Sequence, residues 1–125
     1  MILGLGIDLE EVSRVREAVE RHGRRFLERV YTPGEIAYVE GRANRYERYA
    51  ARFAAKEAAM KALGTGWGRG VVWLDLEVVN ESRGRPGLQL GGRAQEVADR
   101  LGVRRIHLSL SHNRLHVVAQ VILEN

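Results

Sequence analysis

Cysteine is absent from this chain, and lysine nearly so: Lys56 and Lys61 are its only lysines, although Lys plus Arg number 20. Without thiols there is neither a disulfide framework nor a thiolate metal site, which excludes the small disulfide-stapled scaffolds and fits a reducing compartment. Proline occurs twice, aromatic residues make up 6%, and no apolar run approaches the length of a membrane-spanning helix. The apolar start, Met1 to Leu9, has no basic leader, so neither signal peptide nor anchor is expected; the expectation is a soluble, cytoplasmic protein with no membrane partner. The formal charge of +4 invites a small nucleic-acid-binding module. Against it, the few aromatics are not interleaved with the arginines, acids are dispersed among the bases, and no nucleic acid is expected as a partner.

What is present suffices for one core and no more. A chain of 125 residues with no linker reads as a single domain, 1–125. Ile2 to Asp8 alternates as a strand, with Leu3, Leu5 and Ile7 on one face and Gly4, Gly6 and Asp8 on the other. The two glycines leave room over the sheet for a second backbone or a ligand. Asp8 with Glu11 also fits a capping box before a helix carrying Val12, Val15 and Val19, and a carboxylate has lone pairs enough for both a cap and a metal. Thr32-Pro33-Gly34-Glu35 opens a short helix to about Glu40. After a polar stretch from Gly41 to Arg45, a long helix runs from about Tyr46 to Leu63 and stops at Gly64. The loop Gly64 to Gly70 is glycine-rich, but it follows a helix instead of opening one and lacks a P-loop ending. Val71 to Val79 reads as a strand, Asn80 to Pro86 as a turn and Leu88 to Leu90 as its return, followed by a helix from Arg93 to Leu101 ended by Gly102. Arg105 to Ser111 and Leu115 to Leu123 form a hairpin about His112-Asn113-Arg114. His107 sits mid-strand as a hydrogen-bonded structural residue, whereas His112 stands at the strand tip, where a side chain can project into a cleft.

The chemistry concentrates in the long helix. On a 3.6-residue period Phe53, Glu57 and Met60 share a face, so a carboxylate interrupts an apolar stripe. A charge there requires a partner or a metal. Lys61, one turn on, provides an intrahelical ion pair in the favourable order. The alternative is a cation from elsewhere. Both lysines lie in this segment of an otherwise arginine-based chain, and a compact, mobile ammonium reaches a phosphate in a way that the rigid guanidinium fork does not.

Three blocks, Gly4-Leu-Gly-Ile-Asp8, Arg52-Phe-Ala-Ala-Lys-Glu-Ala-Ala-Met-Lys-Ala-Leu-Gly-Thr-Gly66 and Ser109-Leu-Ser-His112, in this order and spacing, resemble the phosphopantetheinyl transferases of the bacterial holo-acyl-carrier-protein synthase type. The resemblance covers essentially the whole chain. It implies an α+β fold with an antiparallel sheet packed against a long central helix, and transfer of the phosphopantetheine of coenzyme A to a serine of apo-acyl carrier protein. It further implies Mg2+ held by Asp8 and Glu57 with the substrate diphosphate, a chemistry that suits a hard cation which keeps several waters. Lys61 would then contact the diphosphate and stabilise charge on the leaving phosphate. Glu57, His112 or a metal-held water would accept the serine proton, and sequence does not separate them. Arg52, Pro86, Leu110, Ser111 and His112 would lie near the adenosine and its phosphates, partly from a neighbouring subunit, since these enzymes are homotrimers with active sites between protomers. The corresponding setting is fatty acid biosynthesis. Arg45 and Arg48 read instead as a solvated face.

If the first helix continues, Arg14, Ala18, Arg21 and Arg25 follow its spacing with Arg24 beside them, a basic stripe suited to an acidic carrier protein. Pairing of these arginines with Glu17, Glu20 and Glu28 is the plainer alternative. Two carboxylates and a lysine would also serve a metal-dependent phosphohydrolase, which product chemistry distinguishes.

Overall fold

A computed structural model describes residues 1–66, 69–80 and 84–125. A three-stranded antiparallel sheet, in the order β1 (Ile2–Glu11), β5 (His116–Glu124), β4 (Arg105–His112), lies against one long helix, α4 (Arg45–Leu63). A two-stranded antiparallel ribbon of β2 (Leu76–Asn80) and β3 (Pro86–Leu90) sits beside β4. The remaining helices are α1 (Val12–His22), α2 (Arg24–Val30), α3 (Pro33–Val39) and α5 (Gly92–Leu101), with a single 3-10 turn at Trp73–Asp75.

Small residues make the central contact. Helix α4 buries Ala51, Ala54, Ala55, Ala58, Ala59 and Ala62, and β1 presents Gly4 and Gly6 to it. A Cβ at Gly4 would strike the Ala62 carbonyl, and one at Gly6 the Ala58 carbonyl, so the glycines set how closely helix and strand approach. The register places Gly6 opposite Val121, Asp8 opposite Ala119 and Glu10 opposite Val117, all on this inner face. The second-backbone reading of the glycine face therefore holds, and the backbone is α4.

Three expectations need correction, and one residue, Ser111, stands apart from its expected companions within one chain. Asp8 caps no helix: β1 runs on to Glu11, whose own side chain makes no cap, and α1 begins at Val12. Helix α1 does bury Val12, Val15 and Val19, but it ends at Gly23, whose φ of 55° and ψ of −135° break the axis, so Arg24 and Arg25 start a separate helix. The first part of the expected Val71 to Val79 strand, Val71 to Asp75, is not strand. Asp75 closes the 3-10 turn with its N–H to the Val72 carbonyl (3.0 Å), and pairing starts only at Leu76. Finally, Ser111 projects from β4 on the side opposite to Leu110 and His112. Trp67 and Gly68 of the glycine-rich loop, and Glu81 to Arg83 of the Asn80–Pro86 turn, lie outside the described residues.

The Thr32 capping box is present as read, with Pro33 in the first turn. Its Glu35 does far more than cap. Glu35 Oε1 accepts from Thr32 N (2.9 Å) and Lys56 Nζ (2.6 Å), and Oε2 from Val78 N (2.9 Å). Lys56 Nζ also donates to the carbonyls of Val30 (2.6 Å) and Trp73 (3.2 Å). This network ties α2, α3, β2 and the 3-10 turn to the middle of α4.

Candidate functional site

Alternation along β1 brings three acids toward one place. Asp8 and Glu10 follow Gly6 on the inner face, and Glu57 meets them from α4. Lys61 Nζ donates to the Ile7 carbonyl (3.0 Å) and to Asp8 Oδ1 (3.1 Å). The intrahelical Glu57–Lys61 ion pair is therefore not what forms among the described residues; Lys61 turns to the strand. Asp8 Oδ2 is buried and accepts from no N–H or cationic group in that set. Its neighbour Glu10 is an acid, pushed up to about 8 by burial and by the hydrogen bond and charge of Asp8, with Glu57 adding to the rise and Arg14 opposing it. Burial and the charge of Asp8 raise Glu57 as well, against the indole of Trp73 and the ammonium of Lys61.

Glu10 and Glu57, both raised beside the charge of Asp8, mark a site short of positive charge. The described residues contain no cluster of three or more His, Cys, Asp or Glu arranged as a metal cage. Two converging carboxylates, one with a buried oxygen lacking a donor, nevertheless fit magnesium, which takes one or two carboxylates and completes its shell with water and phosphate.

A second feature lies further toward the start of α4. Asn44, Glu47, Arg48, Arg52, Pro86 and His112 line a cleft of about 240 Å³, together with Ala51, Val78, Asn80, Gly84 and Leu110. Four expected residues, Arg52, Pro86, Leu110 and His112, thus come together, and Ser111 does not join them. Arg52 is 4% exposed. One of its terminal nitrogens donates to Asn80 Oδ1 (2.8 Å), its guanidinium lies over Tyr38 (4.8 Å), and its Nε has no partner among the described residues. A buried guanidinium with capacity to spare in a cleft wall is suited to an anion. His112 Nδ1 faces Glu47 Oε2 at 3.5 Å. His107 is hydrogen-bonded as expected, to Glu124 (3.0 Å), but is exposed. A roomier groove, about 550 Å³, runs along Arg24, Glu28, Tyr31, Pro33, Ile36, Glu40 and Leu74; Asp8, Glu10 and Glu57 do not line it, and size alone gives it no chemistry.

Residues that sequence reasoning missed are Glu10, Asn44, Glu47, Asn80 and Trp73, while Arg48, read as solvated, is half-buried in the cleft wall. Extending β1 by two residues would have placed Glu10 beside Asp8. Nothing local marks Asn80 or Trp73. Arg14, Arg21, Arg24 and Arg25 are all exposed, and of the suggested acid partners Glu28 alone pairs among the described residues, with Arg24 at 3.4 Å. Arg45 pairs with Glu40 at 3.2 Å.

A sequence model of the 4'-phosphopantetheinyl transferase superfamily matches residues 4–119, and the chain belongs to that family. Its relatives narrow the class. The holo-[acyl-carrier-protein] synthase of Solibacter usitatus is 58% identical over 125 residues, covering 100% of both chains. The crystal structure of the synthase of that name from Neisseria meningitidis superposes with a TM-score of 0.91 at 30% identity over 100% of both chains. The Helicobacter pylori synthase, solved in complex with coenzyme A, gives 0.84 at 29% identity over 96% of this chain and 99% of that one. These likenesses establish the α+β fold and favour neither a phosphohydrolase nor a nucleic-acid module.

Proposed function

We propose that this chain, as one domain over residues 1–125, transfers 4'-phosphopantetheine from coenzyme A to a serine hydroxyl of apo-acyl carrier protein and releases adenosine 3',5'-bisphosphate. The observation that carries the reading is the cation-deficient Asp8–Glu57 pair with Lys61 beside it, on the same helix as the Arg52 cleft. Asp8 and Glu57 would hold magnesium, which when bound supplies positive charge against the diphosphate. Lys61, with its side chain 55% exposed, moves from Asp8 Oδ1 to a diphosphate oxygen and steadies the charge that builds on the leaving phosphate. Arg52 would set its guanidinium charge in the cleft wall against a phosphate of the adenosine portion, with His112, Pro86 and Leu110 forming the other walls. Glu57 or His112 would take the serine proton.

Geometry supports a shared site. Arg52 and Glu57 are turned about 140° from one another around the α4 axis. A single nucleotide would have to wrap the helix to reach both, whereas two copies can present one each. The outer face of the sheet leaves Leu5 and Ile7 58% exposed and Leu9 67% exposed on β1, with Ser111 on the same side of β4. A continuous apolar strand face of this kind is normally covered by another chain. We take the assembly to be a homotrimer with active sites between subunits; light scattering on the protein and on Ile7→Glu, which should dissociate, tests this.

The carrier protein docks on the arginines of α1 and α2, since opposite charge steers an acidic partner. No helix among the described residues is long and apolar enough to cross a membrane. The cytoplasm, where fatty acid biosynthesis uses the carrier, is the setting that this reading implies. Mixing the protein with apo carrier, coenzyme A and magnesium and weighing the carrier by mass spectrometry tests the function: a phosphopantetheine mass gain is expected, and no gain with a competent carrier rejects it.

A further inference from the structure

We infer that Asn80 is a positioning residue for Arg52: its neutral side-chain amide orients the guanidinium in the cleft wall and leaves the positive charge for a phosphate. This rests on the reading of Arg52 as a phosphate-facing group. Arg52 reaches the cleft from the middle of α4, and its guanidinium lies over the Tyr38 ring at 4.8 Å. Contact with a ring face sets where the cation sits but not which way its N–H groups point. The bond from a terminal nitrogen to Asn80 Oδ1, at 2.8 Å, supplies that direction. Two elements, α3 through Tyr38 and β2 through Asn80, therefore hold one fork.

The chemistry of the amide matters more than its bulk. Arginine only donates and a backbone carbonyl only accepts, so the two contacts of Asn80 admit one orientation of the amide: Oδ1 toward Arg52, and Nδ2 toward the Gly84 carbonyl at 3.4 Å. The second contact ties the Arg52 anchor to the start of β3, where Pro86 lines the same cleft and pairs with Asn80 across the ribbon. A carboxylate at position 80 would accept from Arg52 more strongly. It would also face the Gly84 carbonyl with no donor, and it would cancel the charge that a phosphate requires. An aliphatic side chain would make neither contact. Asn80 is itself exposed, so replacing it removes no core packing.

Calorimetric titration with adenosine 3',5'-bisphosphate tests the assignment. Asn80→Ala should bind it about tenfold more weakly, roughly the worth of one hydrogen bond to a charged group. The KM for coenzyme A should rise by a similar factor, while kcat and the KM for the carrier hold. Asn80→Asp should weaken binding further although its melting temperature matches or exceeds the parent's, a split that a purely structural role does not produce. In an Arg52→Met background, Asn80→Ala should cost nothing more, because the group it positions is gone. Undiminished bisphosphate affinity in Asn80→Asp, or a tenfold loss from Asn80→Ala that persists without Arg52, overturns the inference. If the parent protein binds no bisphosphate and transfers no phosphopantetheine, the functional reading and this inference fall together, whereas a transferring parent with unaffected Asn80 variants rejects the role of Asn80 alone.

Discussion

Lys56 and Lys61 stand little more than one turn apart on α4, and their surroundings are opposite. Lys56 is 0% exposed and has acceptors in Glu35, Val30 and Trp73, while Glu35 spends its two oxygens on Lys56, Thr32 and Val78. Burial pulls the ammonium below its ordinary value, with Glu35 working against the fall. Lys61 is half in water, its partner Asp8 has an Oδ2 that no cation among the described residues meets, and acids there outnumber cations. The contrast separates two uses of a charge near a core. A network whose donors and acceptors match is complete and holds elements together. One left short of positive charge stores an unfavourable arrangement that only a bound group relieves, which is how functional sites depart from local consistency.

Breaking each side should give different failures. Asp8→Ala or Glu57→Ala should reduce transfer, read by carrier mass, by at least about a thousandfold, since the metal and its charge stabilisation go together. The melting temperature should hold or rise, because a repelling acid is gone. Retained transfer in either variant removes that residue from the metal site. Lys56→Met should do the reverse. Removing one partner of a buried pair leaves Glu35 uncompensated and costs about 3–5 kcal/mol of stability by urea unfolding. Adding Glu35→Gln to Lys56→Met should restore part of that loss; a Lys56→Met protein as stable as its parent would mean the pair is dispensable.

The docking arginines test the comparison from outside the core. Arg14→Glu or Arg21→Glu should raise the KM for the carrier about tenfold at low salt, less at high salt, and leave that for coenzyme A unchanged. Equal effects on both substrates would argue against a carrier-specific surface.

How much of this was legible in the sequence differs between the two lysines. Glu57 was conspicuous because a carboxylate on an apolar stripe violates a local pattern, and Asp8 because glycine alternation ends on it. Lys56 gave no such sign: its partner Glu35 belongs to a capping box that explains itself locally, and only tertiary packing brings the two together. The helices and the closing hairpin followed from caps, periodicity and glycine stops. The 3-10 turn at Trp73 did not, since its residues alternate like a strand and the turn is closed by Asp75. The break at Gly23 was likewise hidden, because a lone glycine within a helical pattern is usually carried through. The outer face of β1 misleads in another way: Leu5, Ile7 and Leu9 alternate as a core face would, yet they are exposed in this chain.

Glu10 gives the smallest effect and the sharpest probe of cation shortage. Its proton affinity rises from an ordinary carboxylate value of 4.5 to about 8 in the folded chain, first through burial and then through Asp8. Between those two values the folded state binds more protons than the unfolded one, so stability falls as pH rises through this window and levels off above it. Glu10→Gln abolishes the penalty without removing the side chain's bulk. The variant should therefore match its parent near pH 4.5 and melt a few degrees higher near pH 8.5, by calorimetry in metal-free buffer. Magnesium should narrow the gap by stabilising the parent, because the cation neutralises the acids that raise Glu10. A gap independent of pH would show that Glu10 acts through packing, and the acid cluster would then owe its character to Asp8 and Glu57 alone.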